Sequence, residues 1–300
     1  MAIKKLDDII KAVQKQKPKR VAVAYVHDSH TLEAVNNAYK LGFIVPILVG
    51  DKNTMEQLAS KVNIDIYNYR LIQEKEDMAA AQKAVELVNQ GEADVLMKGT
   101  VSSDKYMRAI LNKEKGLLPP KATLSHVTVI EVPTYHKLLI VSDVAVIPAP
   151  DLVQKIAITN YLINTAHKLG IEQPKIAVIA ATEQMTYGMQ ACVDAAIISK
   201  MGERSQIKDA IIDGPLALDV AIDKESVKIK KLVSPVAGDA DCLVFPNLES
   251  ANVFFKSCTK LAKGELAAMV TGAKAPAILT SRGDSSLTKT YSIALACLMA

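Results

Sequence analysis

Two short segments place a fixed positive charge, a glycine and several hydroxyls directly behind an apolar run, the make-up of an anion seat. The first is Lys98-Gly99-Thr100-Val101-Ser102-Ser103-Asp104, after the run ending at Met97. Lys98 supplies a full charge, and Gly99 lets the backbone come close to a ligand. Thr100, Ser102 and Ser103 offer hydroxyls, and a helix starting here would aim unpaired N–H groups at an anion. An ordinary helix cap at Ser102 or Ser103 accounts for the same residues. The second segment is Thr280-Ser281-Arg282-Gly283-Asp284-Ser285-Ser286, behind Ala277-Ile278-Leu279. Arg282 can grip a phosphate through two parallel hydrogen bonds. Ser281 and Ser285 carry hydroxyls, and Asp284 can accept a proton or orient the arginine. A capping turn built on Asp284 or Ser285 is the structural alternative.

Other segments carry less chemistry. His27-Asp28-Ser29-His30 sets two histidines three apart, but no further ligand cluster accompanies them, so no metal site is expected. Ser125-His126 enters an apolar strand, where a histidine is commonly structural. Asp213-Gly214-Pro215-Leu216-Ala217-Leu218-Asp219 is a compact turn with two carboxylates. No G-x-x-x-x-G-K-[ST], HExxH, GxSxG or GxGxxG occurs, which removes the common signals for nucleotide phosphates, metalloproteases, hydrolases and dinucleotides.

The elements that must position these segments alternate along the chain. Residues 3–16 space their apolar groups as a helical stripe, and 21–25 form a short buried strand. A helix is predicted over 31–41, a strand over 44–49, an Ala-rich helix over 75–90 and a strand over 93–97. Gly42 and Gly91 stop the two helices. Ser125–Val132 and Leu138–Ile147 are consecutive extended runs, so antiparallel pairing enters there. Strands near 175–180, 210–212, 242–245, 266–270 and 277–280 follow, then a last helix from about 285. Apolar strands alternating with helices predict an α/β protein with covered parallel sheets. We expect two three-layer α/β domains, residues 1–117 with 271–300 and residues 118–270, with a cleft between them.

Composition narrows the function. Half of the 300 residues are hydrophobic and 23% are charged, as in ordinary globular proteins. The net charge of +4 comes from lysines spread along the chain, so no nucleic-acid footprint is expected. Aromatics are only 4%, too few for base-stacking platforms. Cys192, Cys242, Cys258 and Cys297 lie far apart in apolar surroundings, which suits a reduced compartment. Charge breaks the first residues, and no apolar run approaches the ~20 needed to span a bilayer. A cytoplasmic protein without a membrane partner is expected.

Six segments in order give the chain a resemblance that covers nearly all of it. They are Leu96-Met97-Lys98-Gly99-Thr100, Leu124-Ser125-His126-Val127, Val141-Ser142-Asp143-Val144-Ala145, Ile212 to Asp219, Phe245 to Val253 and Leu279 to Ser285. The chain resembles the phosphate acetyltransferase and phosphate butyryltransferase family, and its Asp213–Asp219 and Ser125-His126-Val127 forms resemble the butyryl branch more. The resemblance implies an isocitrate dehydrogenase-like two-domain fold and a homodimer or larger homo-oligomer. It implies reversible conversion of a short-chain acyl-CoA, butyryl-CoA first, and phosphate to acyl phosphate and CoA, without a covalent enzyme intermediate. Coenzyme A is then a substrate, and no cofactor or metal is required. By the same resemblance Ser281 and Arg282 match a pair that holds phosphate and stabilises the reacting carbonyl. Lys98, Gly99 and Thr100 match the opposing phosphate loop, with Ser102, Ser103 and Ser285 beside these turns. The acetyl members carry an Asp, proposed to activate the CoA thiol, where this chain has Thr288, so Asp284 becomes the candidate for that role. Three alternatives stay open: a phosphate acetyltransferase, a non-catalytic CoA- or phosphate-binding member, and a metal-dependent dehydrogenase on the same fold.

Overall fold

A computed structural model describes residues 3–280 and 283–300. The chain divides into two compact units, residues 7–124 with 267–300 and residues 3–6 with 125–266.

The first unit begins on α1 (Leu6–Val13), which buries Leu6, Ile9 and Val13, one apolar residue every three or four. β1 (Lys19–Ala24) follows, its last four residues fully buried. Asp28 caps α2 (Ser29–Lys40) by accepting the Thr31 N–H at 2.8 Å, and Gly42, at φ +83°, turns the chain out of it. β2 (Ile44–Gly50), α3 (Lys52–Lys61), β3 (Arg70–Gln73) and α4 (Asp77–Asn89) continue the alternation. β4 (Val95–Lys98) leads through Ser102, whose hydroxyl accepts the Lys105 N–H, into α5 (Ser103–Leu111).

The second unit opens on β5 (Ser125–Glu131) and β6 (Leu139–Ser142), paired antiparallel with Val129 opposite Ile140. The extended run expected to reach Ile147 ends at Ser142, because the Asp143 carboxylate draws in the N–H groups of Ala145, Val146 and Ile147. A capping box of Asp151 and Gln154 starts α6 (Leu152–Lys168). β7 (Lys175–Ile179), α7 (Gln190–Glu203), β8 (Ile211–Leu216), α8 (Leu218–Ile222), α9 (Lys224–Lys230), β9 (Cys242–Val244) and α10 (Leu248–Lys260) complete it. Its strands lie in the order β5-β6-β9-β7-β8, parallel from β6 onward.

The chain then returns to the first unit through β10 (Glu265–Thr271), β11 (Ala277–Ile278) and α11 (Ser286–Met299). The strand order there is β3-β2-β1-β4-β11-β10, parallel except for the β10–β11 pair. α11 is buried from Thr288 to Leu298, as its largely apolar sequence requires. Tyr291 donates to Asp7 at 2.6 Å, and Ser292 accepts the Ala268 N–H at 3.0 Å. The mixed α/β class is the expected one. All four cysteines are free and buried. Among the described residues no helix is long and apolar enough to cross a membrane.

Candidate active site

In an open parallel sheet, ligands collect at the strands' carboxyl ends, where the strand order reverses. In the first unit that point lies beside β1 and β4: the chain steps from β1 to β2 on one side, and β4 is added on the other. β11 joins β4 in parallel on its far edge. The turns after β1, β4 and β11 therefore converge on one edge of the sheet. They enclose a pocket of about 210 Å³ lined by Asp28, His30, Thr31, Lys98, Gly99, Thr100, Thr280 and Lys289.

The turn after β4 is tightly built. The Gly99 N–H donates to the Ala24 carbonyl at 2.9 Å, and the Thr100 N–H and hydroxyl both donate to Tyr25 O, at 2.9 and 2.7 Å. Tyr25 reaches them in a left-handed conformation, φ +62°, a strained backbone of the sort that clusters at functional sites. A Cβ on Gly99 would lie 2.7 Å from Ala24 O, so only glycine fits. Lys98 is 4% exposed, and its ammonium donates to the carbonyls of Gly99 and Val101 at 3.1 and 3.2 Å. Positive charge is thus held at the pocket wall by the loop's own carbonyls. The amides of Gly99 and Thr100 are engaged with the carbonyls of Ala24 and Tyr25, at and just beyond the end of β1.

Of the residues singled out by sequence, Lys98, Gly99 and Thr100 line this pocket. Ser102 is the cap of α5, and Ser103 is its exposed first residue. Ser285 caps α11, accepting the Thr288 N–H at 3.0 Å, and Asp284 is half-buried in the preceding turn. None of these four is among the pocket's described lining residues. Ser281 and Arg282 lie outside the described residues. Thr280 opens the second of the two segments singled out by sequence, whereas Asp28, Thr31 and Lys289 carry no such expectation and His30 only that of a metal ligand. For Lys289 a signal existed: it falls on one stripe with Ile293 and Ala296, both buried, so a lysine there faces inward. A larger groove of about 980 Å³ runs along α4 and α5, but side chains of both signs line it, including Glu74, Lys83, Glu86 and Lys274. No charge of one sign gathers in it, so the smaller pocket is the better anion site.

The second unit holds its own polar cluster behind the Asp143 turn. Ser125 donates to the Asp143 carboxylate at 3.0 Å, and the His126 N–H does so at 3.3 Å. Burial holds the His126 imidazole down at about 4, only partly opposed by the nearby Asp143 charge. Between that value and the ordinary 6.5 the unfolded chain carries a proton that the folded chain lacks. Stability therefore falls as pH drops through this window, by roughly 3 kcal/mol at its acid end. Urea unfolding at pH 7 and pH 4.5 should show a smaller loss for His126→Gln than for the unaltered chain. Equal losses would remove His126 as a cause.

The chain belongs to the phosphate acetyl/butaryl transferase family, which matches residues 72–297. It is 43% identical over 298 residues to a phosphate butyryltransferase of Clostridium acetobutylicum, covering 99% of each chain. It is 39% identical to a phosphate acetyltransferase of Thermotoga maritima, over 95% of this chain and 96% of that one. Among solved structures, a branched-chain phosphotransacylase from Enterococcus faecalis V583 superposes with a TM-score of 0.81 at 29% identity, covering 94% of this chain and 98% of that one. The family expected from the six segments is the one found.

Proposed function

We propose that this protein transfers a short-chain acyl group, butyryl foremost, reversibly between coenzyme A and inorganic phosphate. The observation that carries the reading is likeness to a phosphate butyryltransferase along 99% of both chains. A pocket walled by two buried lysines, at the sheet's switch point, supports it chemically.

In the proposed reaction a phosphate oxygen of HPO₄²⁻ attacks the thioester carbonyl carbon, a C–O bond forms, and the C–S bond breaks. The sulfur leaves with the electron pair, and the phosphate's proton ends on the thiol. No protein nucleophile and no resident cofactor or metal is needed, since both reacting groups are substrates. The protein's part is to hold an anion beside a carbonyl and to stabilise the developing oxyanion. Ser281 and Arg282 take these roles in our reading, with Lys98 and its loop on the phosphate side, and Asp284 as proton acceptor when CoA attacks. The same reading treats the two units as the domains of an isocitrate dehydrogenase-like fold, acting in the cytoplasm as a homodimer or larger homo-oligomer.

Thiol release from a panel of acyl-CoAs, with and without phosphate, tests this directly. Phosphate-dependent release, fastest with butyryl-CoA, is expected. Faster turnover of acetyl-CoA would reassign the acyl group, and absence of release with every acyl-CoA would overturn the reading.

A further inference from the structure

We propose that Lys289 is a phosphate-binding residue, the cation that meets the incoming oxyanion in the pocket at the end of β4. The inference rests on the acyl-transfer reading for its substrate and on geometry for its site.

Lys289 stands in the second turn of α11, is 3% exposed and lines the pocket. No hydrogen bond or ion pair engages its ammonium among the described residues. Lys98 offers the contrast, since it is as deeply buried but is tied to two carbonyls. The stem of Lys289 is buried while its ammonium lacks a bonded partner among the described residues, so the charge is suited to an anion that arrives from outside. Asp28, the carboxylate of the lining, is engaged as the α2 cap and makes no ion pair with Lys289. Lys98, His30 and the threonines Thr31, Thr100 and Thr280 share the pocket with Lys289, so a second cation and several polar side chains stand around an entering oxyanion. The volume sets the size: 210 Å³ is the space of about seven waters at roughly 30 Å³ each. That is room enough for a phosphate.

The test joins a kinetic and a binding measurement on the whole chain. Lys289→Met should raise the KM for phosphate about tenfold or more and leave that for acyl-CoA within about twofold. In reverse, the KM for acyl phosphate should rise while that for CoA does not. Independently of turnover, inorganic phosphate should raise the melting temperature of the unaltered protein and not that of Lys289→Met. Lys289→Arg should restore part of the phosphate effect, and Lys289→Gln serves in the same measurements should the Met variant not fold. Equal rises in KM for phosphate and acyl-CoA, or an undiminished phosphate-induced shift, would overturn the assignment. The thermal shift stays readable even if acyl-CoA proves not to be a substrate, so failure of the reaction and failure of the site are told apart.

Discussion

Gly99→Ala is expected to lower acyl transfer to phosphate by about 10²-fold, since misplacement of a binding loop by an ångström has that cost. The added methyl would meet the carbonyl oxygens of Ala24 and Tyr25, which are backbone atoms of β1's end and cannot swing aside. Relief requires the turn to lift from β1, and three hydrogen bonds go with it: Gly99 N–H to Ala24, and the Thr100 N–H and hydroxyl to Tyr25. Lys98 grips the carbonyls of Gly99 and Val101, so it would move too. Overpacking of this type destabilises by about 1–3 kcal/mol. Turnover measured beside a urea unfolding curve separates the two effects. A variant with unchanged turnover would show that this turn has no part in the reaction.

Asp143→Ala is expected to cost the second unit about 4 kcal/mol or more, because hydrogen bonds to a buried carboxylate are strong and their donors would be stranded. The side chain is 2% exposed and accepts from Ser125 Oγ and from the N–H groups of His126, Ala145, Val146 and Ile147. Alanine leaves those backbone donors facing a void. Asn keeps an acceptor oxygen but turns an NH₂ against other donors, so Asp143→Asn should fall between. The unfolding midpoint in urea is the readout, and a midpoint for Asp143→Ala equal to that of the unaltered chain would contradict the account.

Sequence periodicity carried much of the fold because the buried stretches of parallel strands are apolar runs, as Val21–Ala24 of β1, Ile47–Val49 of β2 and Val95–Met97 of β4 are. The β5–β6 hairpin was legible because too few residues separate the two runs for a helix. β3 was missed: Arg70 and Gln73 leave its short run only half buried, and no apolar signal marks it. The end of β6 was misjudged since Val144-Ala145-Val146-Ile147 reads as strand, while its backbone is claimed by a carboxylate one residue earlier. The anion-seeking make-up of Lys98-Gly99-Thr100 was visible in residue types. Its meeting with the turn at Thr280 followed from the resemblance alone, and the part of Asp28, Thr31 and Lys289 was not legible, because strand order, which periodicity does not encode, brings those elements together.

The late return of the chain to its first unit bears on how the protein emerges from the ribosome. Residues 125–266 form an almost contiguous body that is complete before the final stretch is made. The first unit must wait with β4 lacking its neighbour, because β11 and the covering helix α11 are translated last. Its nascent sheet edge and apolar helix face stay open throughout that interval, the kind of surface that chaperones shield.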